Sequence, residues 1–296
     1  MAGYVPLDGR PMRFQVGTRP LDPNDWIEID DRRAADLQAK DELLRAQRDD
    51  VMAELPEGRA GAREVGALLL DFLPRRYPQT FVATDGGVRD LELDREIRMT
   101  DELPLEATAR LVQEDICVMS RDGEGRWRLT AAAVCFPSHW SMREKLGQDM
   151  DGIHEPVPDY EGRLARPTQS ILDRLSPHRP VWRLNWTIVG RPDLHLLYSR
   201  DSWPGLDRGE DPGDALFFRV ERQTLRALPV SGDIVFTIRT YVTSLRDMGR
   251  IRPGIYADLL AGVSEVGPEL IAYRGWADVV EPMRAWLEAQ VRIESP

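Results

Sequence analysis

The chain is short of the residues on which several large protein classes depend. Its 296 residues include two cysteines, Cys117 and Cys135, too few for a disulfide framework or a four-cysteine iron–sulfur centre. It is also short of positive charge. With 39 Lys and Arg against 50 Asp and Glu, it carries −11 at pH 7 and has a pI near 5.0. That balance argues against nucleic acid or an anionic membrane surface as the main partner, and favours cationic substrates or basic partner proteins. No apolar run approaches the ~20 residues of a membrane span. The first residues, Met1 to Arg10, hold no apolar secretory core, so the expectation is a cytoplasmic protein. The phosphate-cradling patterns G-x-x-x-x-G-K-[ST] and strand-borne G-x-G-x-x-G are missing, as are H-E-x-x-H, paired C-x-x-C and G-x-S-x-G. Nucleotide cradling, zincins, zinc ribbons and α/β-hydrolases therefore lose support.

What is present suits a globular enzyme with a substantial core. Eight tryptophans suggest a core or pocket built from large flat side chains. Met1 to about Asp30 reads as an extended arm. Asp31 to Arg76 reads as helical, with a second helix over Val65–Phe72 that stops before Pro74. From Ile116 the apolar period becomes two. Two strands flank the turn Arg121-Asp122-Gly123-Glu124-Gly125, and helices follow from Ser141 to about Leu175. Then come strands over Val181–Val189, Phe217–Leu225 and Ile234–Val242, the last two forming a hairpin. Helical stripes fill the last third. The order indicates an α+β fold with an antiparallel sheet. It divides into an arm with helices (1–110), a sheet-centred core (111–248) and a helical extension (249–296). Asn185-Trp186-Thr187 matches a glycan acceptor but reads as part of a strand.

The unbroken segment Cys135 to Pro158 is the most distinctive. Ser141 and Glu144 have capping-box spacing. Met142, Leu146, Met150 and Ile153 recur at helical spacing, with His154 on the flank of that stripe, about 40° around from Met150. Gly147 shares the side of His154, where a flat ligand would have room to approach. Pro156 and Pro158 end the helix. A histidine so placed suits axial ligation of a buried cofactor, although a helix-terminal histidine bonded to a carbonyl is the commoner case. His195 is a rival ligand, Cys135 a more remote one. His139 and His178 read as surface residues.

Three motifs in this order carry a resemblance. They are Cys135-Phe136-Pro137-Ser138-x-Trp140 with Lys145-Leu146-Gly147 and Ile153-His154-x-Pro156-Val157-Pro158; Arg183-Leu184-Asn185-Trp186-Thr187-Ile188; and Arg219-Val220-Glu221-Arg222-Gln223-Thr224-Leu225 followed by Ile234 to Thr240. Over roughly Pro20 to Leu245 the chain resembles the catalytic subunit of haem-dependent oxidative N-demethylases, the dimethylamine monooxygenases. The resemblance implies a PAS-like antiparallel sheet with helices on one face, to which the terminal helices are additions. It also implies haem b with His154 as the iron ligand, and Lys145, Arg183, Asn185 and Arg219 in the cofactor site. Small amines and O2 would be the substrates, and electrons would come from a separate reductase carrying flavin and iron–sulfur groups. Strand parity puts Arg219, Glu221 and Gln223 on one side and Arg222 and Thr224 on the other. That row reads either as a solvated sheet face or as a polar pocket. In the pocket reading Glu221 accepts the protonated amine, and Arg222 and Gln223 polarise bound oxygen. The resemblance does not say which face the haem meets. A haem-based gas sensor and a cofactor-free interaction protein remain as the other classes.

Overall fold

Alternation of Trp182, Leu184, Trp186 and Ile188 with Arg183, Asn185 and Thr187 demands a strand with two unlike faces. In the computed structural model that strand lies within a seven-stranded antiparallel sheet. The structure describes residues 3–294 apart from 14, 100–103, 198–204 and 208. Among the described residues the N-terminal part carries β1 (Arg19–Pro20), α1 (Arg33–Ala46), α2 (Arg48–Val51), β2 (Met52–Glu54) and α3 (Arg59–Arg76). A small three-stranded sheet follows, β3 (Phe81–Thr84), β4 (Gly87–Asp90) and β5 (Arg95–Arg98), and then α4 (Pro104–Leu111). The centre has β6 (Asp115–Arg121), β7 (Trp127–Ala133), α5 (Met142–Lys145), α6 (Met150–His154), α7 (Tyr160–Arg163) and α8 (Ala165–Arg174). After it come β8 (Val181–Val189), α9 (Pro212–Ala215), β9 (Phe217–Ala227) and β10 (Ile234–Ser244). The chain closes with α10 (Leu245–Met248), α11 (Ile255–Ser264), α12 (Pro268–Arg274) and α13 (Val280–Glu294).

The large sheet has the order β1-β8-β9-β10-β6-β7-β2. Both expected hairpins form, and β10 pairs with β6, so the three later strands join the two earlier ones in one sheet. This is the α+β antiparallel architecture expected from the sequence. Directly paired residues share a face. Arg183, Asn185 and Thr187 of β8 therefore stand beside Gln223, Glu221 and Arg219 of β9, with Ile238, Thr240 and Val242 of β10 next to them. The opposite face carries Trp182, Leu184, Arg222, Thr224, Arg239 and Tyr241.

Three apolar layers fix the helices. Cys117, Met119, Trp127, Leu129 and Ile234 on the Glu221 face pack with Met142 and Leu172, and with half-buried Met150 and Ile153, so α5, α6 and α8 lie on that side. On the other face Val118, Ala131 and Val235 join Leu69, Leu73 and Leu105 of α3 and α4. Farther along, Phe218 and Val220 meet Leu259, Met283 and Leu287 of α11 and α13. Trp276 is fully buried there and donates its indole N–H to the Ile188 carbonyl at 3.0 Å. Helices α11 and α13 thus cover the face away from α6.

Five local expectations are corrected. The stretch from Ser141 to His154 is two short helices, because Gly147 adopts φ +80° and Asp149 then caps α6 by accepting from Gly152 N–H at 3.0 Å. The Gly147 backbone is also spent on β7, its N–H on Leu129 O and its carbonyl on Arg128 Nε, both at 2.7 Å, so it offers no platform beside His154. Ser141 makes no side-chain cap bond. Helix α3 runs past Pro74, closing with Tyr77 N–H on Leu73 O at 2.8 Å. Burial of Leu69, Phe72 and Leu73 offsets the one N–H that proline removes. The helical stretch 31–76 is interrupted by β2, which extends the sheet edge against β7.

Candidate functional site

The Glu221 face is the less completely covered one. Arg183, Asn185, Glu221, Leu225 and Phe236 remain half-exposed there, while Met150 and Ile153 of α6 stand against the same apolar layer. That face therefore carries a polar row and an apolar flank, with His154 at the end of α6.

Two contacts fix His154. Its Nδ1 lies 2.9 Å from the Met150 carbonyl, one helical turn back. Its ring stacks on Tyr160 with centroids 4.5 Å apart and planes 6° from parallel. A carbonyl only accepts, so Nδ1 carries the proton and Nε2 presents a lone pair. Burial pushes the imidazole pKa down, against the pull of the Met150 carbonyl, and the charges of Arg183 and Lys145 push it down further. Both effects favour the neutral ring. Nε2 has no hydrogen-bond partner among the described residues. This bond to its own helix is what an ordinary helix-terminal histidine makes, and it also leaves Nε2 placed as a metal ligand's would be.

Charged groups surround it. Lys145 Nζ donates to Gly152 O at 3.3 Å, and burial lowers its pKa. Arg183 gives one Nη to the Gln15 carbonyl at 3.2 Å, while its Nε is buried without a partner. Burial pulls the guanidinium pKa down and the Glu221 carboxylate pulls it up. Glu221 accepts from Asn185 at 3.2 Å and from Gln223 at 2.9 Å, with Arg219 Nε at 3.9 Å. Thr240, paired with Glu221 across the ladder and 2% exposed, has a hydroxyl with no partner among the described residues. It was not foreseen as a site residue, though it closes the last of the quoted motifs. Arg183 Nε and Thr240 Oγ1 are thus buried without a partner on this face, as Arg222 Nε, Arg226 Nε and Arg239 Nε are on the other, and such atoms call for a ligand or water.

The structure brings together Lys145, His154, Arg183, Asn185, Arg219, Glu221 and Gln223, and it does not bring Arg222 to them. The Arg222 guanidinium is on the far face, on the carbonyls of Asp25 and Trp26 and in an ion pair with Glu28 at 3.3 Å. Arg219 is in the row but its donors are committed. They reach Leu194 O at 3.0 Å and Phe136 O at 2.7 Å, with longer contacts to Asp193 O and Pro137 O at 3.4 Å. Arg219 therefore positions loops. His195 sits between those loops, half-buried, its Nδ1 on Cys135 O at 2.7 Å. The buried Cys135 thiol is pushed up to about 12, which disfavours the thiolate. His178 is exposed and His139 half-buried. Among the described residues no three His, Cys, Asp or Glu side chains cluster as an ion site, and no helix is long and apolar enough to cross a membrane.

This set fits a flat cofactor with a central metal: one neutral imidazole, cations for an anionic edge, and an apolar flank. A family model described as haem-dependent oxidative N-demethylase, alpha subunit-like, matches residues 17–283. The chain belongs to that family, whose description joins haem dependence and oxidative N-demethylation to the role of one subunit among others.

Proposed function

We propose that this chain binds haem b on the Glu221 face through His154 and serves in the oxidative N-demethylation of a small secondary amine such as dimethylamine. The observation that carries the reading is His154 itself, neutral, oriented by Met150 and Tyr160, with Nε2 available. Bound haem supplies oxygen activation, the chemistry by which an N-methyl carbon is hydroxylated and leaves as formaldehyde. Every other part falls to this chain's side chains. Arg183 and Lys145 offer positive charge to the cofactor's carboxylates. Glu221, held by Asn185 and Gln223, offers a carboxylate to the protonated amine nitrogen. Thr240 and Gln223 present neutral polar groups on the same floor. Arg222, occupied on the other face, is left out of the chemistry. The order of two strands, helices and three strands in one sheet supports the PAS-like reading of the core. The alpha-subunit description supports electrons arriving from a separate reductase subunit.

Reconstitution with haem tests this directly. The purified chain should give a Soret band that shifts on reduction and with carbon monoxide. His154→Ala should lose the band, or regain it with added imidazole, while its far-ultraviolet dichroism is unchanged. An unaltered Soret band in that variant would transfer the ligand role to His195.

A further inference from the structure

An open groove of ≈ 600 Å³ lies beside the His154 segment, lined among others by Trp140, Ser141, Glu144, Pro156, Pro158, Glu269 and Tyr273. Its chemistry is one-sided. Two carboxylates, the Trp140 and Tyr273 rings and the His139 imidazole line it, and no lysine or arginine does. The two cations that flank Glu144 in sequence are engaged elsewhere: Arg143 pairs with Asp50 at 2.9 Å, and Lys145 donates to Gly152 O. Arg274 lies over the Tyr273 ring at 5.5 Å from its centroid, so one ring of the groove already meets a cation, while among the described residues no such contact engages Trp140.

The Trp140 wall is built to keep its shape. Asp115 holds the N–H groups of Cys135 and Phe136, both at 2.9 Å, and Lys40 stands 3.6 Å from the same carboxylate. Arg219 and His195 take the carbonyls of Phe136 and Cys135. His139, next to Trp140, sits at φ +60°, a region unfavourable for residues other than glycine, and donates its N–H to Leu196 O at 2.7 Å. Across the groove Pro156 and Pro158 have fixed φ. A preset aromatic and acidic groove loses little entropy on binding, and its faces and charges match a compact organic cation.

We propose that this groove is an outer binding site for small organic ammonium ions. It rests on the amine reading above, and adds a site, separate from the Glu221 face, where the cation is held before it reaches the cleft. The test uses full-length protein labelled with 5-fluorotryptophan, cofactor-free and haem-loaded, with the Trp140 resonance identified through Trp140→Phe. Dimethylammonium and tetramethylammonium chlorides, at matched ionic strength, should shift that resonance saturably in both forms, and tert-butanol, of similar size but neutral, should not. Glu144→Gln with Glu269→Gln should weaken the binding by about tenfold and leave the Soret band as in the parent. Both positions are exposed, so the fold should persist. Absence of a saturable shift, an equal response to tert-butanol, or unchanged affinity in the double variant would overturn the groove assignment. The haem reading would stand or fall separately on the His154→Ala spectrum.

Discussion

Replacing Arg219 by methionine isolates how much the cleft depends on one buried cation. The side chain is fully buried, and two of its contacts are short, to Phe136 O at 2.7 Å and Leu194 O at 3.0 Å. A hydrogen bond to a charged group contributes about 1.5–3 kcal/mol, so the pair is worth about 3–6 gross. Methionine keeps the volume and removes the guanidinium's desolvation penalty, which offsets part of that. It also leaves carbonyls of two loops without donors and Glu221 without its cation at 3.9 Å. Breaking such an arrangement from one side costs about 3–5 kcal/mol. At about 2–3 °C per kcal/mol for a chain of this size, the thermal midpoint should fall by about 6–15 °C. Scanning calorimetry on cofactor-free protein measures the fall, and hydrogen exchange locates it. The amides of Leu196 and His139, bonded to Pro137 O at 3.1 Å and Leu196 O at 2.7 Å, should exchange faster relative to those of β9 and β10. Arg219→Lys should recover little, because an ammonium lacks the planar fork that spans both loops. A midpoint within about 2 °C of the parent, with unchanged exchange at those amides, would refute the clamp.

Three further outcomes follow from the same geometry. His154 in the cofactor-free chain should titrate below its usual 6.5. Its contribution to stability is then complete above pH ~6.5 and declines as pH falls toward the lowered value, where the unfolded chain takes up a proton that the folded one refuses. Arg183→Met removes a like charge and should move the imidazole titration upward by NMR; no upward movement would separate Arg183 from His154. Glu221→Gln in haem-loaded protein should weaken an amine's perturbation of the Soret band by about 1.5–3 kcal/mol while haem affinity holds, and equal titrations would remove Glu221 from amine binding. The highly purified single chain should oxidise no NADPH with any amine. A reductase that restores turnover should do so at a rate that falls with salt, given the net charge of −11; NADPH turnover by this chain alone would contradict the partner requirement.

Much of the sheet was legible because a period of two is local. Val181–Val189, the turn at Asp122 and the hairpin across Pro229 needed no distant information, and parity alone put Arg219, Glu221 and Gln223 on one side. The break in the His154 segment was also written locally, as Gly147 followed two residues later by the capping Asp149. The apolar stripe from Met142 to Ile153 masked it, because helical spacing persists through a short interruption. The small β3–β5 sheet had an Asp85-Gly86 turn as its signal, but its strands of four residues are too short to show a period.

Parity could not decide which side of the sheet forms the cleft, because that depends on what other parts of the chain bring to each face. On the far face Arg222 meets Glu28 and the carbonyls of Asp25 and Trp26, while Arg239 meets Asp30 and Asp36. All of these come from the N-terminal arm and α1, and they neutralise the charge of that face, although the Nε atoms of Arg222, Arg226 and Arg239 stay without a hydrogen bond among the described residues. On the Glu221 face the carboxylate is satisfied within the sheet, by Asn185, Gln223 and Arg219, and α6 adds apolar groups and a neutral imidazole. Arg183 Nε and Thr240 Oγ1 consequently have nothing to bond. Arginines occur on both faces, so composition does not separate them. Unbonded guanidinium nitrogens likewise occur on both faces, but Arg222 and Arg239 are ion-paired with carboxylates that the arm and α1 supply, whereas Arg183 has no ion pair among the described residues and stands near a neutral imidazole, so that side is the one whose cation is left for an anionic ligand edge.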